Sequence, residues 1–118
     1  TGKYNNGIPE NSRLNLENYG WLRNILNSEE GKNRIDKVKK LTGIANSLGI
    51  TMAQLAIAWC LLNKNVSSVI TGASKPEQVE SNLKSIDFVN LLTPEIVEQI
   101  EVILDNKPAA EHNWRKIQ

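Results

Sequence analysis

Apolar residues recur three and four positions apart along most of the chain, a spacing typical of helices that bury one face. The longest such segment covers residues 29–48, with Ser28 as its N-cap and Gly49 as its terminating glycine. Shorter helices are predicted over residues 14–26 and from the N-terminal signal Thr93-Pro94-Glu95 onward. The buried stripe of the longest helix is expected to comprise Ile35, Val38, Leu41, Ala45 and Leu48.

Residues 51–62 have a different pattern, because the run LAIAWCLL is apolar on every side. Thr51 and Gln54 form a capping box that predicts a helix start. A helix without a polar face is expected to be buried between neighbouring layers of structure. Cys60 lies within this run, and we interpret it as an inert core thiol rather than a nucleophile.

Residues 66–86 predict a strand, a tight turn and a helix in succession. Residues 66–71 are rich in β-branched side chains, and Gly72 is expected to turn the backbone. Ser74 and Glu77 have capping-box spacing, and Pro76 suits the first helical turn. A stripe of Val79, Leu83 and Ile86 would lay this helix back on the layer of the strand.

The start of this helix is a candidate anion site. The first N–H groups of a helix lack intrahelical partners and lie at the positive end of the helix dipole. Ser74 adds a hydroxyl and Lys75 a positive charge at the same place, so a phosphate is a suitable ligand. The alternative is that the Ser74 motif only caps a helix, as such motifs do in most proteins.

Composition limits the classes of partner. The 118 residues carry 14 basic and 13 acidic side chains, a formal charge of +1, which gives no electrostatic footprint for nucleic acid. No segment has the length and apolarity of a membrane span, and the single cysteine excludes an internal disulfide, so a cytoplasmic setting is expected. Because the chain begins at Thr1 with TGKY, we expect a piece of a longer protein.

Catalytic chemistry is not evident in the sequence. We find no carboxylate pair, metal-ligand cluster or Ser/His or Cys/His arrangement, and His112 lies in a polar tail where solvation is the expected state. Residues 1–13 predict a loop whose two cations, Lys3 and Arg13, are either surface charges or ligands. One strand cannot form a sheet, so a severed (β/α) architecture is favoured over an all-helical one.

Several motifs resemble the C-terminal third of the aldo-keto reductases, in the branch that includes the voltage-gated potassium channel β subunits. They are TGKY, GIPENSR, WLRN with SEEG, QLAIAWCL followed by VSSVITGAS, and ILDNKP. The resemblance implies an α/β fold in which residues 1–118 are the C-terminal portion of a (β/α)8 barrel, mostly helical with one or few strands. Residues 66–71 would then be the last barrel strand and residues 1–13 a loop that covers the cofactor.

The resemblance also implies a cofactor site for NADPH. Gly72, Ser74, Gln78 and Asn82 match the family's contacts to the 2′-phosphate and adenosine, and Lys3 and Arg13 match the basic residues of the loop that closes over the pyrophosphate. Ser81 departs from the family, which commonly has a glutamate there that reads the adenine amino group. The family's catalytic residues come from earlier strands, so the resemblance places none of them in this chain.

The resemblance leaves two biological roles open. The first is reduction of aldehydes or ketones by hydride transfer from NADPH. The second is an auxiliary subunit of a voltage-gated potassium channel, for which the cofactor is a structural or redox-sensing element. The implied partners are a small carbonyl substrate, a channel α subunit and three further copies in a homotetramer, with a cytoplasmic location next to the plasma membrane. An independent helical interaction module is the third interpretation.

Overall fold

The computed structural model describes residues 1–109, and the predictions for His112 and its neighbours lie outside them. Two short 3₁₀ turns, Arg13–Asn15 and Glu17–Tyr19, precede helix α1, Gly20–Asn27. Helix α2, Glu29–Ser47, and helix α3, Met52–Leu62, follow. After a segment without regular structure come helix α4, Pro76–Leu83, a 3₁₀ segment, Lys84–Leu91, and helix α5, Pro94–Leu104.

Three helix starts form as their local sequences predict. The Ser28 hydroxyl accepts a hydrogen bond from the Gly31 N–H, at 3.1 Å, and the Thr93 hydroxyl accepts one from the Ile96 N–H. Thr51 and Gln54 complete the predicted capping box, in which each side chain accepts from the backbone of the other. Such caps satisfy N–H groups that would otherwise lack partners.

The hydrophobic core forms where α2, α3 and α5 meet. It confirms part of the predicted stripe of α2, since Leu41 and Ala45 are buried. The other three predicted residues are only partly buried: Ile35, Val38 and Leu48. The other lysines of α2 are solvent-exposed, but Lys37 is half-buried and its Nζ donates to the carbonyl oxygen of Leu104 at the end of α5. The core cluster comprises Leu41, Ile44, Ala45, Ile50, Leu55, Ala58, Leu92 and Ile100.

The predicted strand at residues 66–71 is wrong: no residue between 1 and 109 is in a β-strand. A strand needs a neighbouring strand to receive its N–H and C=O groups, and the described chain offers none. Its side chains accordingly find little cover, and Ile70 is 95% exposed. The segment is not helical either, so it connects α3 to α4 as irregular chain.

Two further burial predictions fail for a related reason. Helix α3 is not enclosed on all sides, because Trp59 and Leu62 remain 38% and 37% exposed. Along and after α4, Val79, Leu83 and Ile86 are all exposed rather than packed on a sheet. These side chains have the composition of a buried layer, but the described residues contain no layer that covers them.

The helix predicted over residues 14–26 is also shorter than expected. Regular α-helix begins only at Gly20, and the residues before it form the two 3₁₀ turns. The side chain of Arg23 explains this shape, since its Nη1 donates to the carbonyl oxygens of Leu14 and Leu16 at 2.7 and 2.9 Å. These bonds give the Leu14 carbonyl a side-chain partner, add a second donor to the Leu16 carbonyl, which already accepts from the Tyr19 N–H, and attach the turns to α1.

Candidate functional site

Helix α4 begins differently from the prediction, although at the predicted place. Lys75 occupies the N-cap position without a side-chain cap, and Pro76 is the first helical residue. The expected capping box between Ser74 and Glu77 is therefore wrong. Gln78 makes the corresponding contact instead: its Oε1 accepts from the Ser74 backbone N–H at 2.8 Å and from the Ser74 hydroxyl at 3.3 Å.

The Ser74–Gln78 pair lies beside an open depression on the protein surface. Ala73, Ser74, Lys75 and Pro76 form its rim, and Val79 and Glu80 of α4 complete the lining. Ser74, Lys75 and Gln78 are exposed, so their polar groups face solvent. A serine hydroxyl, a lysine ammonium group and a helix N-terminus are donors that suit a phosphate ester, and the residues present fit such a group.

Gly72 lies two residues before Ser74 but does not form the sharp turn that was expected. Its φ angle is not in the left-handed region, and a Cβ built on it would meet nothing within 4 Å. The fold of residues 1–109 therefore gives no packing reason for glycine at this position. Asn82 lies one turn beyond Gln78 in α4 and is partly buried.

Lys3 and Arg13 lie apart from this depression. The turns that contain and follow Arg13 contact each other and α1, whereas α4 contacts α3 and the 3₁₀ segment Lys84–Leu91. Arg13 is exposed, with its guanidinium 5.9 Å from the centre of the Tyr19 ring. Lys3 is also exposed, in a turn that Asn5 fastens to Thr42 of α2 through a 3.1 Å hydrogen bond. The structure thus brings Ser74 and Gln78 together but not the two loop cations.

We also searched the described part of the chain for metal sites and membrane-spanning helices. Residues 1–109 contain no group of three or more His, Cys, Asp or Glu side chains arranged to hold a metal ion. Within the same residues, no single helix has both the length and the apolarity to cross a membrane; α2 and α3 reach those limits only as a pair, and that pair is bent by 89°.

Sequence comparison identifies the family to which this chain belongs. The sequence model of the Aldo/keto reductase family matches residues 1–105. The chain is an aldo/keto reductase family member. Such membership implies a (β/α)8 barrel, in which phosphate groups commonly bind at the last βα loops and a nearby helix N-terminus. The helical structure of this aldo/keto reductase segment is compatible with part of a barrel.

Two plant proteins are similar to this aldo/keto reductase chain over nearly its whole length. Both are named "Probable voltage-gated potassium channel subunit beta", one from Arabidopsis thaliana, 47% identical, and one from Oryza sativa subsp. japonica, 48% identical. Each comparison extends over 116 residues, or 98% of this chain and 34% of the relative. The chain therefore spans about a third of the length of these curated relatives.

Two contacts near the candidate site residues were not predicted. Arg23 donates to the carbonyl oxygens of Leu14 and Leu16, just after Arg13, and nothing in the local sequence pattern predicts these bonds. Gln54 was predicted only as a capping residue, yet it also reaches Ser81 in α4. That second contact joins residues 27 positions apart, and no local pattern predicts such a contact.

Proposed function

We propose that this chain is the C-terminal part of an NADPH-dependent aldo-keto reductase, and that residues 72–82 bind the 2′-phosphate end of the cofactor. The observation that carries the proposal is the exposed Ser74–Gln78 pair at the N-terminus of α4, in a chain that belongs to this family. NADPH supplies the hydride for reduction of an aldehyde or ketone. The residues of this chain would bind and orient the cofactor, with the catalytic residues in other parts of the protein.

Each proposed ligand has a distinct task at the phosphate end. Ser74 would turn its hydroxyl from Gln78 to donate to the phosphate, and Gln78 would still hold Ser74 through the 2.8 Å hydrogen bond from the Ser74 backbone N–H. Gly72 and Asn82 would flank the adenosine on the two sides of this pair. Lys75, next to Ser74 and exposed, adds a positive charge that favours a phosphate over a hydroxyl group.

Lys3 and Arg13 are proposed to close over the pyrophosphate from the N-terminal loop. Both are exposed, and neither is in an ion pair within residues 1–109, so their charges are available to a ligand. Since the loop lies away from α4 in this structure, we propose that it contacts the middle of the cofactor rather than the 2′-phosphate.

A titration of cofactor binding in the complete protein tests the 2′-phosphate assignment. Ser74→Ala should weaken NADPH binding by about tenfold, the effect of losing one charge-assisted hydrogen bond, and should weaken NADH binding much less. Gln78→Ala should have a similar effect, because Ser74 is then no longer held in place. Gln99→Ala, at an exposed position of α5, is the matched control. Equal losses for NADPH and NADH would refute the assignment.

The names of the plant relatives support a second proposed function, as an auxiliary β subunit of a voltage-gated potassium channel. We propose in addition that this subunit is cytoplasmic and assembles as a homotetramer. The two functions are compatible. Co-expression of the complete protein with a channel α subunit should give a complex that co-purifies, and failure to associate would contradict this role. Oxidation of NADPH by the purified protein in the presence of an aldehyde separately measures the enzymatic role.

A further inference from the structure

Helix α4 carries Gln78 and Asn82, yet few contacts hold it in place. None of its residues is buried, and Val79 and Leu83 are 49% and 63% exposed. Within residues 1–109 it packs only against α3 and the 3₁₀ segment Lys84–Leu91. An eight-residue helix with so little buried apolar surface needs other contacts to fix its position.

Gln54 of α3 supplies such a contact. Its side chain is buried, at 7% exposure, and its amide group bonds in two directions. Oε1 accepts from the Thr51 backbone N–H at 3.0 Å, which fixes the amide at the start of α3. Nε2 donates to the carbonyl oxygen of Ser81 at 3.0 Å and to the Ser81 hydroxyl at 3.2 Å, which attaches α4 to that point.

The position of Ser81 gives this contact a functional meaning. Ser81 directly precedes Asn82 and lies three residues after Gln78, so a shift of its backbone moves both proposed ligands. Here the serine hydroxyl is bonded inside the protein, to Gln54, and is therefore engaged in holding the helix.

We propose that Gln54 is a positioning residue for the cofactor site, acting through Ser81 to set where Gln78 and Asn82 meet the 2′-phosphate end of NADPH. This inference rests on the proposed function. Gln54 itself would not touch the cofactor, because its amide is buried and bonded to Thr51 and Ser81. Its loss would displace α4 and so alter the preference for NADPH over NADH.

The experiment compares Gln54→Leu with Thr51→Ala in the complete protein. Both changes remove part of the capping box of α3 and should lower the melting temperature by a few degrees. Only Gln54→Leu removes the attachment to Ser81. We expect the ratio of NADPH affinity to NADH affinity to fall by about fivefold in Gln54→Leu, from the loss of hydrogen bonds to α4, and to stay unchanged in Thr51→Ala.

A second variant covers the case in which Gln54→Leu does not fold. Gln54→Glu keeps an oxygen for the Thr51 N–H, but its carboxylate cannot donate to the Ser81 carbonyl oxygen, so the same fall in the affinity ratio is expected. Combining either variant with Gln78→Ala should give a smaller loss of NADPH affinity than the product of the single losses, because both act through one helix.

The outcomes separate this inference from the function on which it rests. If Gln78→Ala lowers the affinity ratio but neither Gln54 variant does, Gln54 has only a structural role and the inference is wrong. An equal fall in Thr51→Ala would likewise overturn it, since general destabilisation would then explain the effect. If Gln78→Ala leaves the ratio unchanged, the 2′-phosphate assignment itself fails.

Discussion

Two glycines of helix α2, Gly31 and Gly43, differ in the space around them. That space determines whether an added methyl group would clash with neighbouring atoms. A Cβ on Gly31 would lie 2.1 Å from the carbonyl oxygen of Ile25 and 2.4 Å from that of Leu26. Only glycine therefore fits at the junction of α1 and α2 without moving the backbone. A Cβ on Gly43 would meet nothing within 4 Å. Gly43 is exposed in the helix interior, where glycine lowers helix stability.

We therefore expect alanine substitutions at these positions to change stability in opposite directions. Gly31→Ala should destabilise the protein by about 2 kcal/mol or more, because backbone atoms must move apart. Gly43→Ala should stabilise it by about 0.5–1 kcal/mol through helix propensity. Thermal or urea unfolding measures both, and each variant serves as the control for the other. A neutral Gly31→Ala would show that the α1–α2 corner is looser than the structure indicates.

Arg13 is the residue of the N-terminal loop whose proposed contact with the cofactor is tested most clearly by a single substitution. Its guanidinium is exposed beside the Tyr19 ring, and it carries no structural hydrogen bond from its side chain within residues 1–109. If it covers the cofactor, Arg13→Ala should speed NADPH release from the complete protein by about fivefold, or ~1 kcal/mol, with little change in folding stability. Stopped-flow measurement of release checks this expectation.

Arg34→Ala is the matched control for that measurement, since Arg34 is an exposed arginine paired with Glu30 on α2. It should leave release unchanged. If NADPH leaves the Arg13→Ala variant at the same rate as the unmodified protein, Arg13 is only a surface charge.

At the scale of elements, prediction from sequence succeeds where the determining contacts are local. The caps at Ser28, Thr51 and Thr93 each involve residues three positions apart, and all three form. The strand at residues 66–71 failed because strand formation depends on partners elsewhere in a sheet. Ser74 has the same local signal as the successful caps, yet Gln78 takes its N–H group, so a competing side chain decided the geometry there.

The start of α5 predicts a specific pH dependence. The Thr93 hydroxyl, with a smaller contribution from the Glu95 backbone, holds the pKa of the Glu95 carboxyl below its usual value. A carboxyl whose pKa is lower in the folded state stabilises the fold at pH above the unfolded-state pKa, and that contribution disappears as the pH falls through the folded-state pKa.

Glu95→Gln should therefore cost stability at neutral pH, and the difference from the unmodified protein should shrink as the solution becomes acidic. Melting temperatures measured between neutral pH and about pH 3 follow this change. Glu98→Gln, which removes an exposed carboxyl of the same helix, is the control. If the difference in melting temperature between Glu95→Gln and the unmodified protein stays constant with pH, the effect of Thr93 on the Glu95 carboxyl is contradicted.

At the scale of the whole molecule, the described helices bury a small core and leave a broad apolar surface. Ile70, Leu83 and Ile86 are 95%, 63% and 64% exposed, in a chain of the aldo/keto reductase family that spans about a third of its relatives. The amphipathic pattern of α2 predicted that Leu41 and Ala45 are buried. What covers the remaining apolar side chains depends on contacts that the pattern within these 118 residues does not specify.

The isolated 118-residue chain should therefore associate or bind an apolar dye such as ANS. Replacing Ile70, Leu83 and Ile86 by serine should reduce dye binding, whereas serine at Val102, an exposed apolar residue on α5, should reduce it less because only one side chain is lost. A monomer that unfolds cooperatively and binds no dye would instead support an independent helical module.

Hydrogen exchange at the start of α4 is the most direct test of the proposed 2′-phosphate site. In the complete protein with saturating cofactor, NADPH should slow exchange of the backbone amides of residues 72–78 relative to NADH, because only NADPH carries the 2′-phosphate that this segment is proposed to bind. Amides of the α2–α3 junction should not distinguish the two cofactors. Equal exchange at residues 72–78 with NADPH and NADH would show that this segment does not bind the 2′-phosphate.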